Sequence, residues 1–225
     1  MLIEIVADFV CPWCYIGKRR LERALAQRPT LVPEVRWLPF QLDPDTPSGG
    51  VDRTIDLLAK FGSVERIRQV NALLEQTAAA EGLTLNLDRI RRTPNTLNAH
   101  RLLRQAEATG GLGNSLGGTQ AQTLAAALQT AYFRDGRDIG DRAVLAAIAG
   151  EVGMDAEAAD RFLHSDADRD ALRQSLAAVR QLGIQAVPCF IFNRLYSLSG
   201  AQEPGAFLPL LDLAGAEGVV ASAAG

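Results

Sequence analysis

Cys11 and Cys14 flank Pro12 and Trp13 at the junction between a strand pattern and a helix pattern. That junction constrains the fold more than any other feature of the chain. Upstream, Leu2 to Ala7 sets apolar residues around Glu4 and reads as a strand. Asp8-Phe9-Val10 is a short turn. Downstream, Pro12 suits the first position of a helix, Lys18 to Leu25 holds no breaker, and Arg28-Pro29 ends the run after about Gln27. Val35 to Leu42 reads as a second strand. A β-α-β order implies parallel strands joined by a helical crossover.

The segment 43–50, rich in Pro, Asp and Gly, then breaks the pattern. Helical stretches follow: Val51 to Phe61, Val64 to Gly82, Thr96 to Thr109, Thr119 to Asp135, Asp141 to Val152 and Asp155 to His164. Ser63 and Asp141 are natural caps. Apart from Leu83 to Leu87, which can be extended, no strand run interrupts this block. The Gly-rich stretch 110–118 matches neither a dinucleotide fingerprint nor a phosphate loop and reads as a surface loop. After His164 the mixed pattern returns. A helix from Ala167 to Leu182 leads to Val187-Pro188. Strands follow over Cys189 to Asn193 and Leu195 to Leu198, hinged at Asn193-Arg194. A last helix starts after Glu203-Pro204, and an Ala/Gly-rich tail expected to be mobile follows Gly218. The expectation is an α/β domain whose two parts, 1–48 and 166–225, make one sheet, with 49–165 as a helical insertion.

Three cysteines in 225 residues are too few for a disulfide framework. Zinc would need about four ligands. Only Cys189, His100 and His164 remain as further Cys or His donors, without a second close pair, so no metal is expected. The formal net charge of -3 gives nucleic acid no support as a partner. No apolar run approaches the ~18 residues of a membrane helix. Met1 is followed directly by the strand pattern, with no basic and apolar leader, so a cytoplasmic protein is expected.

In a reducing compartment a close Cys pair points to chemistry. Thiol–disulfide exchange needs a thiolate, and unpaired N–H groups at a helix N-terminus favour negative charge. Cys11 falls at the N-cap, where its sulfur is expected to accept from Trp13 or Cys14 N–H. Cys14 lies one turn further on. Cys11 is expected at an exposed tip, exchanging with substrate sulfur, and Cys14 in shelter, resolving the mixed disulfide. Pro12 and Trp13 tune the pair. Pro188 marks the entry to a strand. If it is cis, the Val187 backbone comes beside Cys11, free to pair with an extended substrate.

Several further segments agree. The run Asp8 to Gly17, Phe40-Gln41-Leu42, Pro94-Asn95-Thr96 with Ala99-His100-Arg101, Tyr132-Phe133 with Gly136-Arg137-Asp138-Ile139, and Ser199-Gly200-Ala201-Gln202 resemble the DsbA-like proteins of the FrnE type. The resemblance implies a thioredoxin fold with a large all-helical insertion, dithiol–disulfide exchange, and Pro188 as the cis-proline. Substrates would be protein or small-molecule thiols and disulfides. No tightly bound cofactor is implied, although glutathione is a candidate co-substrate. In such proteins the position after this proline is typically aromatic, and here it is Cys189. Kappa-type glutathione transferases and 2-hydroxychromene-2-carboxylate isomerases share the architecture but typically carry Ser at the position of Cys11. A peptide-binding module without catalysis is a further alternative.

Other residues keep two readings. Cys189 is a third redox thiol or a buried small hydrophobe. Asp8 is a carboxylate that tunes the thiols or a turn residue. His100 faces the cleft or is a satisfied structural histidine. Arg89, Arg91, Arg92, Arg101 and Arg104 bind carboxylates or form a solvated face. Ser199 to Gln202 holds a carboxylate or caps a helix. Oligomeric state is not readable.

Overall fold

The structure is a computed structural model and describes residues 1–110 and 119–223. In chain order these form β1 (Leu2–Ala7), α1 (Pro12–Ala26), β2 (Glu34–Pro39), β3 (Val51–Asp52), α2 (Arg53–Phe61), α3 (Val64–Ala80) and β4 (Arg92–Thr93). There follow α4 (Leu97–Gly110), α5 (Gln120–Phe133), α6 (Arg142–Glu151), α7 (Ala156–His164), α8 (Arg169–Gln181), β5 (Cys189–Phe192), β6 (Tyr196–Ser199) and α9 (Pro204–Ala223). Residues 111–118, which make up most of the expected surface loop, and residues 224–225 lie outside the described residues, whereas the tail expected to be mobile after Gly218 continues α9 as far as Ala223.

The main sheet has the order β2-β1-β5-β6. β1 pairs parallel to β2, as the β-α-β pattern requires, and antiparallel to β5, while β6 closes the far edge. Asn193 (φ 49°) and Arg194 (φ 61°) make the two-residue turn between β5 and β6. Both positive φ values suit the twist of a tight hairpin. Asn193 also accepts from the Leu2 amide at 2.8 Å, which locks the turn onto the start of β1.

β1 is buried on both faces. Ile3, Ile5 and Ala7 join α1, α9 and the inserted helices in one large core, with Leu21, Leu102, Leu124, Leu128, Phe133 and Phe207. Val6 points the other way, into a small core with Phe40, Val179 and Cys189 beneath α8. This alternation is the two-residue period of a strand.

Several expectations are corrected. β2 ends at Pro39 and not at Leu42. Phe40 N–H still donates to Ala7 O, but Leu42 N–H turns to the Asp8 carboxylate at 2.8 Å, which bends the chain away. Val51–Asp52 is not helical: it pairs with Arg92–Thr93, so a short two-stranded sheet does sit within the helical block. The Asp52 side chain then caps α2 by accepting from the Thr54 and Ile55 amides. Leu83 to Leu87 forms no strand, and Leu87–Arg89 is a short 3-10 turn. Ser63 and Asp141 cap α3 and α6 as expected.

One polar tie holds the inserted helices to the main sheet, and another holds them to one another. Trp37 Nε1 on β2 donates to Gln122 Oε1 on α5 at 3.0 Å, and Gln122 Nε2 donates back to Val35 O at 3.1 Å. Arg101 on α4 is wholly buried. Its guanidinium donates to the carbonyls of Phe162, Leu163, Ser165 and Ala167 at the end of α7 and beyond. Carbonyls in the last turn of a helix lack partners within it, and here the guanidinium adds to the bonds that Ser165 already gives Phe162 O.

Candidate active site

Cys11 is the N-cap of α1, with extended backbone (φ -88°, ψ 111°) and Pro12 as the first helical residue. Its amide donates to Asp8 O at 3.2 Å and its carbonyl accepts from Cys14 N at 3.0 Å, which sets the tight entry to the helix. Two expectations are corrected here. The Cys11 sulfur takes no capping hydrogen bond from the helix. It turns instead to Val187, donating to the carbonyl at 3.8 Å. Nor is Cys11 exposed: it is 4% accessible and Cys14 1%, because the strand entry from the far end of the chain covers the tip of α1. Trp13 carries the exposed surface of the motif, at 37%.

Burial pushes the Cys14 thiol well above its ordinary value of 9.0. The hydrogen bond to Cys11 and the Cys11 charge push the same way, the Asp8 backbone amide opposes them, and the Asp8 carboxylate adds a further upward push. Asp8 and His100 are both buried, at 1% and 4%. His100 Nε2 lies 3.0 Å from Phe40 O and 3.4 Å from Asp8 Oδ1. Its ring packs on Phe9, centroids 4.8 Å apart. Both sequence readings therefore meet in one place: the two residues satisfy each other and the turn, and they do so behind the cysteine pair.

The Val187–Pro188 peptide is cis. α1 approaches it closely at Gly17, where a Cβ would lie 2.9 Å from Pro188 Cγ and 3.2 Å from Phe190 Cζ. Cys189 does not join the pair. One residue beyond Pro188, it points to the opposite face of the sheet, where its sulfur accepts from Ser199 Oγ at 3.8 Å. It is 3% accessible, and burial raises its pKa despite that hydrogen bond. It lines a groove of about 800 Å³ between α8 and the sheet, together with Val179, Ile184 and Ile191.

A cavity of about 180 Å³ opens beside Pro12. Asp8, Leu42, Arg53, Lys60, Thr96 and Tyr132 are among its walls, so α2, α5 and the β4–α4 link form one side of the cleft. Arg53 has no mark in the sequence as a group of this cleft, and Tyr132 is marked only as part of the resemblance. Asp52 caps the start of α2, but only the fold places the first residue of that helix in the cavity beside Pro12. The basic group singled out from sequence is dispersed. Arg101 binds helix-end carbonyls, and Arg104 makes a two-pronged pair with Asp168 at 2.7 and 3.1 Å. Arg92 reaches Gly49 O and Asp138, while Arg89 and Arg91 are exposed. In the Ser199–Gln202 turn, Ala201 O accepts from Arg20 at 2.7 Å, and Gln202 Nε2 donates to Ser199 O at 3.0 Å. Among the described residues, no three His, Cys, Asp or Glu side chains gather as a metal would need. No described helix is long and apolar enough to cross a membrane.

Comparison with known proteins agrees with this geometry. The chain is 28% identical over 192 residues to the uncharacterized protein YwbO of Bacillus subtilis, covering 85% of this chain and 86% of that one. It is similar to the crystal structure of the probable DsbA oxidoreductase SCO1869 from Streptomyces coelicolor, with a TM-score of 0.83 and 34% identity over 96% of this chain and 91% of that one. It shares its fold with the cytosolic disulfide reductase DsbM from Pseudomonas aeruginosa, solved with GSH, at a TM-score of 0.62 and 20% identity over 95% of each chain. The DSBA-like thioredoxin domain matches residues 2–212, and with that span, the cis Val187–Pro188 bond and the Cys11–Cys14 helix start in one fold, the chain belongs to the DsbA-like thioredoxin family.

Proposed function

We propose that the protein is a dithiol–disulfide oxidoreductase of the FrnE type that works through a mixed disulfide on Cys11. One observation carries the reading: Cys11 caps α1 with its sulfur turned to Val187 O, and Cys14 sits one turn behind it. In this reading the Cys11 thiolate attacks a substrate disulfide, and one substrate thiolate leaves. Cys14 then gives up its proton and attacks Cys11 Sγ. The second substrate thiolate leaves, and the pair ends as a disulfide. Val187 and Pro188 would hold the substrate strand, and residues 49–165 would form an inserted roof over the cleft. Asp8 and His100 would modulate Cys14. Cys189 would stand outside the exchange, since it faces the other side of the sheet.

The similarity to DsbM solved with GSH supports glutathione as a co-substrate, and that neighbour's cytosolic setting supports a cytoplasmic place for this chain. Protein or small-molecule disulfides would be the substrates. The test is reduction of insulin disulfides by the wild-type protein, Cys14→Ser and Cys11→Ser, with mass spectrometry of trapped adducts. Cys14→Ser should accumulate a mixed disulfide on Cys11, and Cys11→Ser should form none. Wild-type protein without insulin reduction, or an adduct on Cys189, would overturn the reading. Activity that survives Cys14→Ser yet demands glutathione would point to a glutathione-dependent isomerase or transferase.

A further inference from the structure

Among the described residues, one cation of the cavity beside Pro12 has no carboxylate partner. Arg53, the first residue of α2, donates from Nη1 to Tyr132 Oη at 3.1 Å. Its guanidinium carbon lies 6.0 Å from the centre of that ring. Its Nε is shut off from water and has no hydrogen-bond partner. A guanidinium offers five N–H donors, and a buried donor without an acceptor is costly. The other charges of the cavity are already engaged. Asp56 is held by Lys60 at 2.9 Å and by the Thr93 hydroxyl at 2.8 Å. Asp43 lies 3.7 Å from Lys60. Asp8 accepts from the Leu42 amide and faces His100. Among the described residues, Arg53 is the charged lining residue with donor capacity to spare.

Arg53 and Lys60 face Asp8, Asp43 and Asp56 across this cavity, so the lining is formally negative. A diffuse positive field therefore does not draw anions in. An anion gains here only through direct hydrogen bonds to Arg53, which are strong and directional when the acceptor is a carboxylate. Tyr132, pushed up to about 12 chiefly by burial, keeps its proton and adds no competing charge.

We propose that Arg53 binds a carboxylate carried by the substrate, so that the Cys11–Cys14 pair prefers small disulfides with a carboxylate close to the sulfur. This rests on the oxidoreductase reading above. The step is the two-electron exchange already written. The disulfide is reduced to two thiols, the protein dithiol is oxidised to a disulfide, and no other reductant is needed in a single turnover of pre-reduced protein.

The test compares two probes that differ in one group. 3,3′-Dithiodipropionate carries carboxylates, and bis(2-hydroxyethyl) disulfide carries hydroxyls. Single-turnover rates of pre-reduced protein with each are divided by the rates of dithiothreitol with the same disulfide, which removes intrinsic reactivity. The normalised ratio of carboxylate to hydroxyl probe should be about ten or more for the wild type. It should fall about tenfold in Arg53→Gln and be partly kept in Arg53→Lys. The exposed Arg173→Gln on α8 should leave it unchanged. Far-ultraviolet circular dichroism checks that each variant is folded. If Arg53→Gln is not, the wild-type ratio and Arg53→Lys decide. A wild-type ratio near one, or a ratio unchanged in folded Arg53→Gln, overturns the role of Arg53. No reaction with either probe overturns the oxidoreductase reading itself.

Discussion

His100 reaches from α4 to within 3.4 Å of the Asp8 carboxylate. A residue of the inserted helices thus touches the turn that delivers Cys11 to the start of α1. The contact couples two parts of the chain that are 92 residues apart. It also places a buried carboxylate behind Cys14, and the first prediction follows from that charge.

Asp8→Asn removes the charge but keeps an oxygen for the Leu42 amide. Burial is the main cause of the raised Cys14 pKa, followed by the hydrogen bond to Cys11 and the Cys11 charge, with the Asp8 charge acting in the same direction. The variant should therefore titrate Cys14 at lower pH, though only in part. The decay of a Cys11 mixed disulfide, followed against pH, should shift to lower pH. An unshifted profile would show that Asp8 acts only as a turn residue.

The reduced protein should lose stability in alkali. Cys14 is raised above 9.0, and Tyr132 is raised from 10.0 to about 12, each mainly by burial. A group raised in the folded state contributes stability that is fully present below its unfolded pKa and is lost as pH rises through its folded one. The loss should therefore begin near pH 9 with Cys14 and continue from 10 towards about 12 with Tyr132. Its slope reaches about 1.4 kcal/mol per pH unit for each proton. Urea denaturation of reduced wild type and Cys14→Ala should show a shallower early decline in the variant.

Glu81→Gln should cost about 2 kcal/mol, because it strips the buried Arg20 of its buried carboxylate and leaves it only the exposed Glu203. Glu81 is 5% accessible and holds Arg20 at 2.8 Å and Arg23 beside it, which ties α1 to the end of α3. Burial pushes this carboxyl up, but the hydrogen bonds from Arg23 and Arg20 outweigh it and hold it below 4.5. Its contribution is therefore present above that value and lost as pH falls through the lower folded one. Denaturation at neutral and acid pH should show the variant and wild type converging in acid.

Gly17→Ala should weaken both fold and chemistry. The added methyl would meet Pro188 Cγ at 2.9 Å and Phe190 Cζ at 3.2 Å. Relief requires α1 to move away from β5, at a cost of about 1–3 kcal/mol. That movement would also part Cys11 from Val187 O. Thermal melting should show the loss, and insulin reduction should slow by more than the loss of folded protein accounts for.

Features governed by neighbours in the chain were readable without the fold. The strand–helix junction at Cys11, the caps Ser63 and Asp141, and the Asn193-Arg194 hairpin each depend on a few adjacent residues and their backbone preferences. So did the return of an α/β pattern after His164, which indicated one sheet drawn from both ends of the chain. The two-residue pairing of Val51–Asp52 with Arg92–Thr93 was hidden, because each strand is too short to show a period.

The character of the site was decided only in three dimensions. Cys11 looked exposed from its helix-end position, yet it is covered by Val187, 176 residues away. Cys189 kept two readings in the sequence, and the alternation of a strand turns it to the other face of the sheet, where it is buried. Arg53 is one of 23 basic residues, and nothing local sets it apart. The sequence by itself determined where Cys11, Cys14 and the helix that Cys11 caps lie, because short-range backbone geometry suffices for that. Burial, charge matching and the walls of the cleft required the tertiary structure, because they are set by groups that meet only after distant segments pack.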